Sequence, residues 1–175
     1  MAETLVIIVM GVSGSGKTTV GAGLAERLGW DFADADDFHT PGNIARMSAG
    51  IPLTDTEREP WLRSIAEWIE GRLTSEAPAV VTCSGLRRRY REVLAGGRPG
   101  VAQVFLDEGR DVIARRMERR RGHFFRPGLL DSQFRDLERP TPDEGVVTVE
   151  NTGTPEETVA AIVSELELET TPAES

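Results

Sequence analysis

One cysteine in 175 residues leaves no possibility of an internal disulfide. Cys83 therefore has no partner within the chain, and a reducing compartment is expected. Long hydrophobic runs are absent too, and nothing approaches the ~18 apolar residues of a membrane span. The opening MAETLVIIVMG lacks the basic stretch of a signal peptide. The expectation is a cytoplasmic protein with no membrane partner. Basic charge is in deficit: 20 Lys and Arg face 29 Asp and Glu, for a formal net charge of −9. That balance disfavours general binding of nucleic acid or anionic lipid, so any anionic ligand must be held by a local pocket. Internal repeats and linker-like stretches are also missing. The length fits one domain of the usual ~100–200 residues. Residues 1–168 read as that domain, and 169–175 (ETTPAES), without an apolar pattern, as a mobile tail.

What is present is an alternation of aliphatic runs with helical patterns. Leu5–Val9, Ala79–Thr82, Val101–Leu106 and Val146–Val149 are short and rich in β-branched residues, as strands buried on both faces should be. Asp31–Ala35 is a weaker candidate. Between the runs, Val20, Leu24 and Leu28 share a helical face that Gly29 can terminate. Leu62, Ile65 and Ile69 do the same within 57–73, where Trp61 and Trp68 at helical spacing read as core. Val159, Ile162, Val163 and Leu166 form a last stripe, with Thr154 as N-cap and Pro155 in the first turn. The alternation predicts an α/β fold with a parallel sheet covered on both faces.

A flexible loop follows the first strand. Gly11, Val12, Ser13, Gly14, Ser15, Gly16, Lys17 and Thr18 fit G-x-x-x-x-G-K-[ST]. Glycines let backbone N–H groups turn inward, and the helix that begins near Lys17 directs its positive end to the same spot. Lys17 reaches β- and γ-phosphates, and the Thr18 hydroxyl suits Mg²⁺. A chance Gly/Ser turn is the plain alternative. Its position between a buried strand and an amphipathic helix favours a nucleotide, with ATP and Mg²⁺ as expected ligands.

Asp34 and Asp36 fall at the end of the second predicted strand, where ligands collect in doubly wound sheets. One carboxylate, assigned to Asp34, can hold Mg²⁺ through water. The other, Asp36, can accept a substrate hydroxyl. The alternative is a solvated acidic turn. The third strand ends in Thr82-Cys83-Ser84-Gly85 with no aspartate, which disfavours a GTPase or motor-type ATPase. A nucleotide-binding regulatory module would not need the Asp34/Asp36 pair. Residues 115–121, RRMERRR, put five arginines in an acidic chain. Arg116 and Arg120, one helical turn apart, suggest a lid over a triphosphate, with Arg120 counted beside Lys17 and Asp36 as catalytic. His123 reads equally as a packing or capping residue.

Together, MGVSGSGKTT, DADDFHTPGNIARMSAGIPLTDTEREPWL, CSGLRRRYRE and RRRGHFFRPGLLDSQFRDLE resemble the gluconokinases of the small P-loop type, relatives of shikimate and nucleoside monophosphate kinases. The resemblance spans nearly the whole chain. It implies a P-loop kinase fold with a five-stranded parallel sheet, flanking helices and a helical lid at about 115–135. It also implies a homodimer that uses MgATP to convert D-gluconate to 6-phosphogluconate, feeding the pentose phosphate route. By position, His39, Arg46, Arg58, Arg87 and Gln133 fall on the substrate side with Asp36, and Arg116 and Arg120 on the lid. Gly85 stands where alanine is common, Arg87 and Arg88 replace a lysine pair, and Arg46 replaces a lysine. An arginine facing the acceptor suits a carboxylate. The alternative pairs Arg58 with Asp55 or Glu59 along its own helix.

Overall fold

The structure is a computed structural model describing residues 3–12, 14–51, 53–108, 112–113, 115, 127–151 and 153–168. Five strands, β1 (Val6–Met10), β2 (Asp31–Asp34), β3 (Ala79–Cys83), β4 (Val101–Asp107) and β5 (Val147–Glu150), form one sheet in the order β2-β3-β1-β4-β5. Every neighbouring pair is parallel. The helices are α1 (Lys17–Leu28), α2 (Pro41–Ser48), α3 (Asp55–Thr74), α4 (Arg88–Ala95), α5 (Pro127–Asp136) and α6 (Pro155–Glu165), with 3₁₀ turns at Ala35–Phe38 and Pro142–Glu144.

The aliphatic strands are explained by the two layers they separate. In β1, Val6, Ile8 and Met10 join a core with Leu62, Ile65 and Ile69 of α3 and Leu94 of α4. Ile7 and Val9 face the other way, onto Val20, Leu24 and Leu28 of α1 and Ile162 and Val163 of α6. Alternate side chains enter opposite layers, so a central strand has no polar position to spare. β2 lies at an edge and is half exposed, which accounts for its weak apolar signal.

Local signals fix the helix ends. Thr54 and Glu57 form a reciprocal capping box at the start of α3. Thr154 accepts from the Glu157 N–H at 3.2 Å, with Pro155 in the first turn of α6. Gly29, at φ 70°, closes α1 through N–H contacts to the carbonyls of Ala25 and Glu26. The predicted elements recur with shifts of a residue or two: β1 runs one residue later than expected, and α3 starts at Asp55 rather than 57. The sequence reading did not anticipate α2 or α4. In α2 no residue is buried. In α4 the inward set includes Arg91, which apolar periodicity cannot detect.

The chain passes from β1 to the outer strand β2, returns to β3 and crosses β1 to β4. The carboxyl end of β1 is therefore a switch point with loops diverging on either side, and a crevice opens there.

Candidate active site

The loop after β1 wraps over that crevice. Gly16 is the N-cap of α1 at φ 90°, a conformation that side chains resist, and no side chain caps the helix. The first-turn N–H groups are left for an anion. Lys17 is half-buried, with Nζ 3.5 Å from the Val12 carbonyl. Burial holds its pKa below the ordinary lysine value, and the carboxylates of Asp36 and Asp34 pull it back up. A polar strut braces the loop from behind. Asn151, just past β5, donates to the Ser15 carbonyl at 2.7 Å and accepts from Thr158 of α6 at 2.6 Å. Asn151 and Thr158 are buried. Neither was read as functional, because they lie some 140 residues from the loop in sequence.

Asp34 ends β2 and caps the following 3₁₀ turn, its Oδ1 accepting from the Asp36 N–H at 3.0 Å. Its Oδ2 accepts from the Thr18 hydroxyl at 2.9 Å. The turn thus aims one carboxylate at the helix that carries the loop's threonine. A hydroxyl and a carboxylate in contact are hard oxygen donors of the kind Mg²⁺ takes alongside phosphate and water. Among the described residues no cluster of three or more His, Cys, Asp or Glu could hold a metal by itself.

Asp36 lies one step further along the turn, in a pocket it shares with Lys17, Asp34, His39, Arg58 and Gln133. Its pKa is raised, first by burial and then by Asp34, against the opposing pull of Lys17. Trp61 of α3 forms one wall. Its Nε1 donates to the Ala35 carbonyl at 2.8 Å, which ties α3 to the acidic turn. Its ring stacks on His39 at 4.1 Å between centroids, nearly parallel. Trp61 is a core residue, as expected, and also lines the pocket. Burial, and then Arg58, push the pKa of His39 down to about 4, so the ring is neutral at pH 7. Among the described residues its buried Nδ1 has no hydrogen-bond partner.

Arg58 projects from α3 into the same pocket with its side chain only 12% exposed. It donates to the Tyr90 hydroxyl at 3.2 Å, and its guanidinium lies 5.7 Å from that ring's centroid. Asp136 is 3.9 Å away. Arg58 therefore turns toward α4 and α5 rather than along its own helix, where Glu59 is instead paired with Arg63. Arg87 stands at the N-cap of α4, beside the pocket lining, and bonds Asp136 at 3.2 Å. Arg46 lies outside the lining, largely exposed and paired with Glu57. The structure thus gathers Lys17, Asp34, Asp36, His39, Arg58 and Gln133, keeps Arg87 adjacent and leaves Arg46 apart. Ser13, Arg116, Arg120 and His123 lie outside the described residues.

A phosphate-binding loop, a hydroxyl–carboxylate pair beside it and an adjoining polar pocket at a parallel-sheet switch point define a P-loop small-molecule kinase, a nucleotide-binding phosphotransferase. The family model described as Shikimate kinase matches residues 13–167. The chain is 42% identical to a gluconokinase of Gluconobacter oxydans over 93% of its own length and 92% of that protein's. The solved structures similar to it include two from bacteria. One is an unliganded sugar kinase from a Janibacter species, with TM-score 0.88, 46% identity and coverage of 94% and 95%. The other is a gluconokinase from Sinorhizobium meliloti, with TM-score 0.82, 44% identity and coverage of 95% and 92%. The chain belongs to the gluconokinases within that wider kinase family.

Proposed function

We propose that the protein transfers the γ-phosphoryl group of ATP to the 6-hydroxyl of D-gluconate, giving 6-phosphogluconate. The observation that carries this reading is Arg58, a largely buried guanidinium lining the same pocket as Lys17 and Asp36. The loop provides for the nucleotide phosphates, so a second cation on the acceptor side suits an acceptor with its own negative charge. A guanidinium takes a carboxylate through two parallel hydrogen bonds. The names of the relatives agree with a sugar acid.

In this reading each residue has a task set by its surroundings. Lys17 supplies positive charge to the γ-phosphoryl group in transit and to the β-phosphate oxygen of the departing ADP as the bond between them breaks. Asp36, with its raised pKa, is a stronger base than an ordinary carboxylate. It accepts the proton of the 6-hydroxyl as that oxygen bonds to phosphorus. Neutral His39 offers a ring nitrogen to a hydroxyl of the polyol chain. Thr18 and Asp34 would hold Mg²⁺, which would neutralise phosphate charge.

The test is kcat/KM for gluconate and for the uncharged polyol glucitol, in wild type and Arg58→Ala. A charge-assisted hydrogen bond is worth roughly 1.5–3 kcal/mol, about 10–150-fold. Wild type should prefer gluconate by at least that order. Arg58→Ala should erase much of the preference, with KM for ATP nearly unchanged. Equal use of both acceptors by the wild type would end the carboxylate reading.

A further inference from the structure

The two arginines at the acceptor end are not left to themselves. Asp136, the last residue of α5, lies 3.2 Å from Arg87 Nη2 and 3.9 Å from Arg58 Nη1. Its position is built. The Glu138 N–H donates to the Leu86 carbonyl at 2.7 Å. Phe134 and Leu137 pack against Val12, Leu86 and Ile113. These contacts pin the end of α5 to the loops that follow β1 and β3. The side chain is 26% exposed, so its charge acts partly out of water, where screening is weaker than at an open surface. Among the described residues, two guanidiniums and one carboxylate meet here, for a net charge of one positive. Arg87 keeps a further buried N–H group, at Nε, with no hydrogen-bond partner among the described residues.

We infer that Asp136 is a specificity-determining residue that holds the acceptor end of the pocket to a single net positive charge, so that the site accepts a monoanion and rejects a dianion. Two unopposed arginines would draw a doubly charged group at least as well as a single carboxylate. With Asp136 in place, a second negative charge meets a fixed carboxylate, and that like-charge juxtaposition selects against the dianion. The inference rests on the reading of Arg58 as the carboxylate-facing arginine. It adds a residue that touches the arginines and lies outside the pocket lining.

The experiment titrates acetate and malonate, a monoanion and a dianion of similar build, into wild type, Asp136→Asn and the double variant Asp136→Asn/Arg87→Gln. Binding is followed by tryptophan fluorescence, since Trp61 lines the pocket. Wild type should bind malonate more weakly than acetate. Asp136→Asn should raise the malonate-to-acetate affinity ratio about tenfold, the size of one added charge-assisted contact. The double variant restores the net charge and should return the ratio to the wild-type value. An unchanged ratio in Asp136→Asn, or a ratio that stays high in the double variant, would overturn the inference and leave Asp136 as a clasp for α5. Ratios within one variant cancel general losses of stability, and Asp136→Ser gives the same reading if the Asn variant folds poorly. The titration needs no turnover. A failure of the gluconate assignment, read from the glucitol comparison, is therefore distinguishable from a failure here.

Discussion

Asp36 carries the sharpest expectation for a single residue. Burial and Asp34 raise its pKa, and a base works only in its ionised form. The acid limb of kcat should therefore lie above the ordinary carboxylate range, with activity falling as pH drops through that raised value. Asp36→Asn should lower kcat by about 10²–10⁴-fold and abolish the limb, with nucleotide binding retained. A normal kcat with only KM for gluconate raised would reduce Asp36 to a positioning role. Gly85 shows how one position answers to its local packing. It has φ 53°, and a Cβ there would meet Met10 Sδ at 2.5 Å. The position combines a backbone conformation that favours glycine with a close approach of the core, so an alanine does not fit there unless Met10 moves.

Between elements, the main polar joint is Arg91 with Glu144. Arg91 of α4 is 1% exposed and meets both carboxylate oxygens of Glu144 at 2.8 and 3.1 Å. A third bond, 2.8 Å to the Gly85 carbonyl, fixes the loop after β3. Glu144 also caps its own turn by accepting from the Thr141 N–H at 2.7 Å. The Arg91 bond, followed by that backbone contact, holds its pKa below the usual value. A buried pair loses little when both partners become apolar and much when one is left unpaired. Glu144→Leu should thus destabilise by about 3–5 kcal/mol in urea unfolding, and adding Arg91→Met should recover much of the loss. Equal destabilisation by the single and double variants would show that the pair does not act as a unit. This joint escaped the sequence because an arginine inside RRRYRE reads as surface charge; only the packing of α4 against the sheet shows which of the four arginines points inward.

At the scale of the whole molecule, the chain's charge is distributed so that its only lysine, Lys17, sits in the phosphate loop. Its lowered pKa leaves more of it as the reactive free amine at neutral pH than in an exposed lysine. An amine-selective reagent should therefore modify one lysine, faster than it modifies free N-acetyl-lysine, and activity should fall in proportion. MgATP should slow the reaction at least tenfold. Peptide mapping by mass spectrometry checks both. Labelling of Lys17 at the same rate with and without nucleotide would argue against its place beside the phosphates.

The sequence by itself determined the sheet and the nucleotide half of the site. Strands buried on both faces must be aliphatic throughout, and a phosphate loop needs its glycines, lysine and threonine contiguous, so both are written in adjacent residues. Asp34 and Asp36 were legible for the same reason, being placed by the strand that precedes them. The acceptor half was decided by tertiary structure. Arg58, Trp61, Tyr90 and Asp136 come from three helices, and which way each side chain turns depends on how those helices pack. Arg46 and Arg58 look alike in sequence, yet Glu57 holds one in the open while Tyr90 and Asp136 hold the other in the pocket. The Asn151–Thr158 strut and the buried Arg91–Glu144 pair follow the same rule: polar groups far apart along the chain show their role only when folding removes the water that would otherwise satisfy them.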